Sequence, residues 1–293
     1  MDIKIKELTK IYGKETTALN DVDLHISQGM FGLLGKNGAG KTTLMRILTT
    51  LLEPTRGSVE ICGIPLKKKN ILSIKSLLGY LPQEFAFYNN LTVYEAMDYM
   101  GMLNKMKPKK RKERIEEVLI QLNLQKQSHK RFRQLSGGMK KRLGIAQALL
   151  SEPKILIVDE PTSGVDPEER VRIRNILSEY SKNNTVLLST HIVEDIASTC
   201  ERLVVLDYGK VIYKGSVEDL IQQAKGSAWK CTLYKTTELD ELKQNYTVIS
   251  SQYLQGKIEA RIVSKDQPSL DCIEVEPSIE DAYILLSSKE EAK

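Results

Sequence analysis

"GLLGKNGAGKTTL", residues 32–44, decides how the rest of the chain is read. Within it, Gly35-x-x-x-x-Gly40-Lys41-Thr42 has the spacing of a P-loop. Glycines let successive backbone N–H groups turn inward around an anion with no Cβ in the way. Lys41 then sets a mobile charge beside the outer phosphates, and the Thr42 hydroxyl can ligate Mg²⁺. Thr43 to Leu48 reads as a helix opening, so its N-terminal dipole faces the same anion. The lead-in, Met30 to Leu34, is short and apolar, which fits the buried strand that the motif requires.

With 293 residues there is room for one large domain, or for a main domain and a small appendage. The 41% hydrophobic and 28% charged fractions are ordinary for a globular protein, and a net charge of +5 does not point to nucleic acid. Cys62, Cys200, Cys231 and Cys272 form no C-x-x-C pair and are dispersed. Reduced thiols in a cytosolic protein are expected from them, without a metal site. The N-terminus, "MDIKIKELTKIYG", alternates like a strand and lacks the apolar centre of a signal peptide. No apolar run approaches the roughly 18 residues of a membrane helix.

Alternation in "IKIKEL" and "ALNDVDLHIS" predicts antiparallel strands before the P-loop. "SVEICG" and "LLGYLPQ" read as further strands, the second stopped by its proline. From Leu91 to Leu150 the period is helical: Ile115, Val118, Leu119 and Leu122 fall at i, i+3, i+4, i+7. After Pro153, strands and helices alternate as in a parallel α/β core. Beyond about Ser227 the character changes, and a small α+β appendage with strands at "WKCTLYK" and "KIEARIVS" is expected. The division is therefore 1–226 for the main domain, with a helical part at about 84–150, and 227–293 for the appendage.

"KILIVDEPTSGVD", residues 154–166, ends a buried strand on two adjacent carboxylates. Asp159 is placed to hold Mg²⁺, usually through water, and Glu160 to orient and deprotonate an attacking water. Alone, this would read as a strand and an acidic turn; the upstream P-loop gives it chemistry. "LSGGM", residues 135–139, puts a serine at an N-cap position before two glycines, a second helix start suited to anions. On those residues alone, an ordinary capped helix is the simpler reading.

Taken together, these motifs resemble the ATP-binding subunits of ABC transporters, in that family's order along the chain, from Tyr12 to His191 and on to about Gly215. The resemblance implies a P-loop ABC ATPase fold of the α/β class, with an antiparallel β subdomain, a parallel core and a helical subdomain. It also implies ATP and Mg²⁺ as cofactors. Gly35, Lys36, Asn37, Gly38, Ala39, Gly40, Lys41, Thr42 and Thr43 are then the phosphate loop. Tyr12 stacks on adenine, Gln83 is the loop glutamine that reaches nucleotide and metal, and His191 is the switch histidine that joins Lys41 and Glu160 in catalysis. Ser136, Gly137 and Gly138 are the signature, and Asp166 closes the "SGVD" loop. Met139 departs from the family's usual glutamine and is left out of the site.

In that family two subunits pair head to tail, so that the signature of one covers the nucleotide of the other. A homodimer is expected here, with integral-membrane permease subunits as separate chains, a peripheral place on the cytoplasmic face of the membrane, and no nucleic acid. The tail "VEPSIEDAYILL" is similar to extensions of bacterial export ATPases for drugs, antibiotic peptides or polymers, which favours export. The basic run Lys105–Arg114 is either a headgroup contact or, more simply, the solvated start of a helix. A soluble ATPase acting on an assembly scaffold is the alternative. A nucleotide-gated scaffold is disfavoured by the intact Lys41, Asp159, Glu160 and His191, and a GTPase by the lack of an Asn-Lys-x-Asp motif.

Overall fold

Ile3–Tyr12 (β1) and Thr16–Ile26 (β2) open an antiparallel sheet, completed by Arg56–Ile61 (β4) and Ile64–Pro65 (β5) in the order β2-β1-β4-β5. This is a computed structural model, and it describes residues 1–13, 15–268 and 271–291. Two compact units divide the chain: Met1–Asp195 with Arg202–Lys214, and Ile196–Glu201 with Gly215–Lys293.

The second sheet of the first unit is built on Gly29–Leu34 (β3), Leu78–Leu81 (β6), Ile155–Asp159 (β7), Thr185–Thr190 (β8) and Arg202–Asp207 (β9). These pair in parallel as β9-β3-β8-β7-β6, with Lys210–Ser216 (β10) beyond β9. Every residue of β7 and β8 is buried. Parallel strands covered on both faces need continuous apolar runs, and "ILIV" and "TVLL" supply them. Three of these strands end on chemistry: β3 runs into the P-loop, β7 ends on Asp159, and His191 follows β8. Ligands bind at such carboxyl ends in open α/β sheets.

Helices flank this frame. Lys41–Leu48 (α1) follows the P-loop and buries Leu44, Met45, Ile47 and Leu48 in the core shared with β1, β2 and β3. Ile71–Lys75 (α2) precedes β6. The expected helical segment consists of Val93–Leu103 (α3), Pro108–Gln121 (α4) and Gly137–Leu149 (α5). Thr92 begins α3 with a capping box to Glu95, and Ser136 caps α5 by accepting the N–H of Met139 at 3.2 Å. The basic run begins α4: Arg111 pairs with Asp98, and the Arg114 guanidinium donates to the Leu149 carbonyl at 3.1 Å. Arg142 is a buried tie, donating to the carbonyls of Leu122 and Asn123 and pairing with Glu169 on Pro167–Ser181 (α6). Val193–Thr199 (α7) follows β8.

The second unit has its own antiparallel sheet, in the order β12-β13-β11-β14, from Ala228–Leu233 (β11), Thr247–Leu254 (β12), Lys257–Val263 (β13) and Cys272–Glu274 (β14). Thr236–Asn245 (α9) supplies Leu239 and Leu242 to a separate core around Trp229, Cys231, Ala260 and Ile262. Val217–Gln222 (α8) packs on Ile279–Glu291 (α10), which is why this unit begins at Gly215, ahead of the composition change near Ser227.

The four cysteines do not all stay free thiols. Cys231 and Cys272 face each other across β11 and β14 and form a disulfide, with Cα atoms 4.0 Å apart. Dispersal along the sequence hid a pair that antiparallel pairing brings together. Cys62 and Cys200 take no part in this disulfide.

Candidate functional site

Asn37, Gly38, Ala39, Gly40, Lys41, Thr42 and Thr43 line a cleft of about 340 Å³ together with Gln83, Asp159, Glu160 and Ala18. The loop takes its form from backbone that only glycine tolerates. Gly40 sits at φ +105°, and a Cβ there would stand 2.5 Å from the Ala18 carbonyl oxygen. Its position just ahead of α1 leaves the first N–H groups of that helix facing the loop. The Lys41 ammonium is buried and donates to the carbonyls of Gly35 at 2.5 Å and Lys36 at 3.1 Å.

Across the loop, the Thr42 hydroxyl donates to Asp159 Oδ2 at 3.3 Å. Burial, with help from the neighbouring Glu160 charge, pushes the Asp159 carboxyl above its usual range, against the nearby Ser189 hydroxyl, the Thr42 hydrogen bond and the Lys41 charge. Lys41 is pushed down by burial, opposed by Glu160 and then Asp159. The cleft thus concentrates charge where water is scarce, which strengthens each interaction with an incoming ion.

Glu160 is buried and held on one side only. His191 Nδ1 lies 2.8 Å from Oε1, while Oε2 is buried without a hydrogen-bond partner among the described residues. Its backbone has φ +49°, the left-handed region that is uncommon for a residue with a side chain. A buried carboxylate oxygen left open is what a base for water requires.

A nucleoside triphosphate with Mg²⁺ fits these residues. A loop of inward N–H groups and one lysine suits phosphates, and a hydroxyl beside a carboxylate suits a cation that keeps most of its waters. Among the described residues no group of three or more His, Cys, Asp or Glu side chains is placed to cage a metal. Mg²⁺ held by one or two protein oxygens and by phosphates needs none.

Gly35, Lys36 and His191 reach this lining through Lys41 and Glu160, while Tyr12, Ser136, Gly137, Gly138 and Asp166 are not part of it. Tyr12 ends β1, 40% exposed, with the Lys10 ammonium 5.3 Å from its ring centroid. Ser136 and Gly137 head α5, and Gly137 lines another cleft, with Glu84, Phe85, Lys140 and Lys141, that shares Gln83 with the first. Asp166 caps α6 by accepting the Glu169 N–H at 2.9 Å. The two glycines differ in kind. A Cβ on Gly138 would meet the Glu169 side chain at 2.6 Å, whereas one on Gly137 would meet only the Gly164 carbonyl at 3.8 Å. Gly138 is demanded by packing inside the chain; Gly137 is not.

One residue at the site was not singled out from the sequence. The Lys141 ammonium donates to the carbonyls of Gln83 at 3.0 Å and Glu160 at 3.2 Å. In "MKKRL" nothing distinguishes it from its neighbours, and only the fold turns it inward.

Comparison with known proteins agrees with this geometry. The family described as ABC transporter matches at residues 19–163. The bacitracin transport ATP-binding protein BcrA of Enterococcus faecalis is 38% identical over 74% of this chain and 70% of its own length. The methionine import ATP-binding protein MetN 2 of Bacillus cereus (strain ZK / E33L) is 36% identical over 76% and 68%. Among solved structures, the ATP-binding cassette MJ0796, in a dimeric post-hydrolysis state bound to ADP and Pi, superposes with a TM-score of 0.67 at 29% identity, covering 73% of this chain and 98% of that one.

Proposed function

The chain belongs to the ABC transporter ATP-binding family, and from that premise we propose that it powers export through a separate membrane permease, two copies closing head to tail over two shared nucleotide sites. It is the ATP-binding and ATP-hydrolysing subunit of an ABC transporter, using ATP with Mg²⁺. Such cassettes form dimers and work with permease subunits. No helix of the described residues is long and apolar enough to cross a membrane. We assign the permease to another chain and this subunit to the cytoplasmic face beside it.

The likeness to a bacitracin transport protein supports export, as does the "VEPSIEDAYILL" tail; the likeness to a methionine importer weighs the other way. The class of cargo we favour is a drug, an antibiotic peptide, a lipid or a polymer. In the proposed cycle, the phosphate loop and α1 hold the nucleotide, Thr42, Gln83 and Asp159 hold Mg²⁺, and Tyr12 stacks on the base. Mg²⁺ supplies neutralisation of charge on the phosphate oxygens. Glu160, anchored by His191, orients the water and takes its proton.

The observation that supports the shared site is that Ser136 and Gly137, at the head of α5, do not line the phosphate-loop cleft of their own chain; Gly137 lines a neighbouring cleft that meets it at Gln83. Two variants test it. Gly137→Trp projects from the surface of its own chain, so isolated subunits should bind ATP normally and hydrolyse none. Lys41→Ala should lose ATP binding and hydrolysis. Mixing the two should restore part of the activity, because one composite site then pairs two intact halves. No recovery in proven heterodimers would contradict the shared site.

A further inference from the structure

Three cations stand in a row at the start of α5, and each has a different occupation. Lys140 lies 5.2 Å from the centroid of the Phe132 ring, and Arg142 is engaged by Glu169. Lys141 turns toward the site and bridges two carbonyls from segments far apart in sequence, Gln83 after β6 and Glu160 after β7. Both contacts of this bridge are hydrogen bonds to backbone carbonyls, not ion pairs.

The backbone it grips is the unusual one. Glu160 lies at φ +49°, a conformation that persists only when its surroundings impose it. Its N–H donates to the Ser189 carbonyl at 2.9 Å, and its carbonyl accepts from the Ser163 N–H at 3.3 Å and from Lys141. Of these restraints, Lys141 is the one that also reaches the Gln83 segment. It is also the one that is charged, and a charged donor makes the stronger hydrogen bond.

We propose that Lys141 is a positioning residue for hydrolysis: it holds the Glu160 backbone in its left-handed turn and ties that turn to the Gln83 segment, so that displacement of either is felt at the other. Lys141 acts through Glu160. It does not line the phosphate-loop cleft. The inference rests on the ATPase reading above, and wild-type hydrolysis, measured alongside, tests that reading separately.

The test is a double-mutant cycle on the full chain, with single-turnover ATP hydrolysis as the readout and with nucleotide affinity and thermal melting as controls. Lys141→Met should lower the rate about tenfold, as expected for loss of a charged hydrogen bond, with MgATP affinity changed less than about twofold. Lys141→Arg should recover most of the rate. In the Glu160→Gln background the same Lys141→Met change should alter the residual rate by less than about twofold, because the carboxylate it positions is already gone. Should Lys141→Met melt early, Lys141→Gln undergoes the same two-background comparison. Equal losses in both backgrounds, or a rate unchanged by either substitution, would overturn the proposal.

Discussion

Two buried aspartates, one in each unit, have opposite electrostatic fates. Asp159 in the first unit is 1% exposed, and Asp281 in the second is 0% exposed. Around Asp159, burial prevails and its pKa rises. Around Asp281, burial is outweighed by the Arg261 hydrogen bonds and then those of Ser278, and its pKa falls. Arg261 donates from Nε to Oδ1 at 2.8 Å and from Nη2 to Oδ2 at 2.6 Å, while Ser278 adds its N–H and its hydroxyl. Forked contact of this kind fixes geometry as well as charge. Asp281 has completed its interactions within the fold and anchors the start of α10. Asp159 remains short of compensation, as befits a carboxylate that waits for a cation.

The comparison can be broken from either side. Asp281→Ala should be the costlier change for stability. It strands Arg261 and uncaps α10, and about 3 kcal/mol should be lost from the second unit, at the low end for a broken buried pair because Arg261 is partly exposed. Protease susceptibility of residues 215–291, followed with denaturant unfolding, measures it; ATP affinity of the first unit should be unchanged. The pH dependence has a definite sign. A carboxyl with a lowered folded pKa stabilises above its unfolded value of 3.8, and that contribution disappears as the pH falls below 3.8 through the folded value. The difference between wild type and Asp281→Ala should therefore be constant near neutrality and shrink only in strong acid.

Asp159→Asn sharpens the contrast with a smaller effect of opposite sign. It relieves a buried charge beside Glu160, so the nucleotide-free protein should gain about 1 kcal/mol at pH 7. A carboxyl with a raised folded pKa costs stability when ionised, and protonation removes that cost as the pH falls through the folded value toward 3.8. The gain of Asp159→Asn should accordingly fade on acidification, and MgATP should stabilise this variant much less than wild type. Denaturant midpoints across pH, with and without MgATP, measure both. A variant less stable than wild type at neutral pH would show that Asp159 is compensated as Asp281 is.

The same contrast explains what could be read from the sequence. The phosphate loop is local: its glycines, Lys41 and Thr42 are adjacent, and the apolar β3, β7 and β8 announce a buried parallel sheet around it. Asp159 and Glu160 were legible because a strand delivers them as neighbours. The Cys231–Cys272 bridge was not, since it depends on β14, a strand of three residues that pairs only through tertiary context. Likewise β12, mostly exposed, carries no clean apolar alternation to mark it. Lys141 and Arg142 were hidden in a basic triplet, where helix rotation alone separates an inward cation from a solvated one. Local patterns gave up the chemistry; contacts between distant segments had to be seen.

The central claim is that the half-satisfied carboxylate of Glu160 is the base for hydrolysis, and single-turnover kinetics of Glu160→Gln test it most directly. The amide is nearly isosteric, so MgATP should bind as in wild type. The hydrolysis rate should fall by about 10²–10⁴, the usual worth of general-base help. With the γ-phosphate retained, the head-to-tail dimer should accumulate on size exclusion. Hydrolysis at the wild-type rate, with the variant monomeric in MgATP, would contradict the claim.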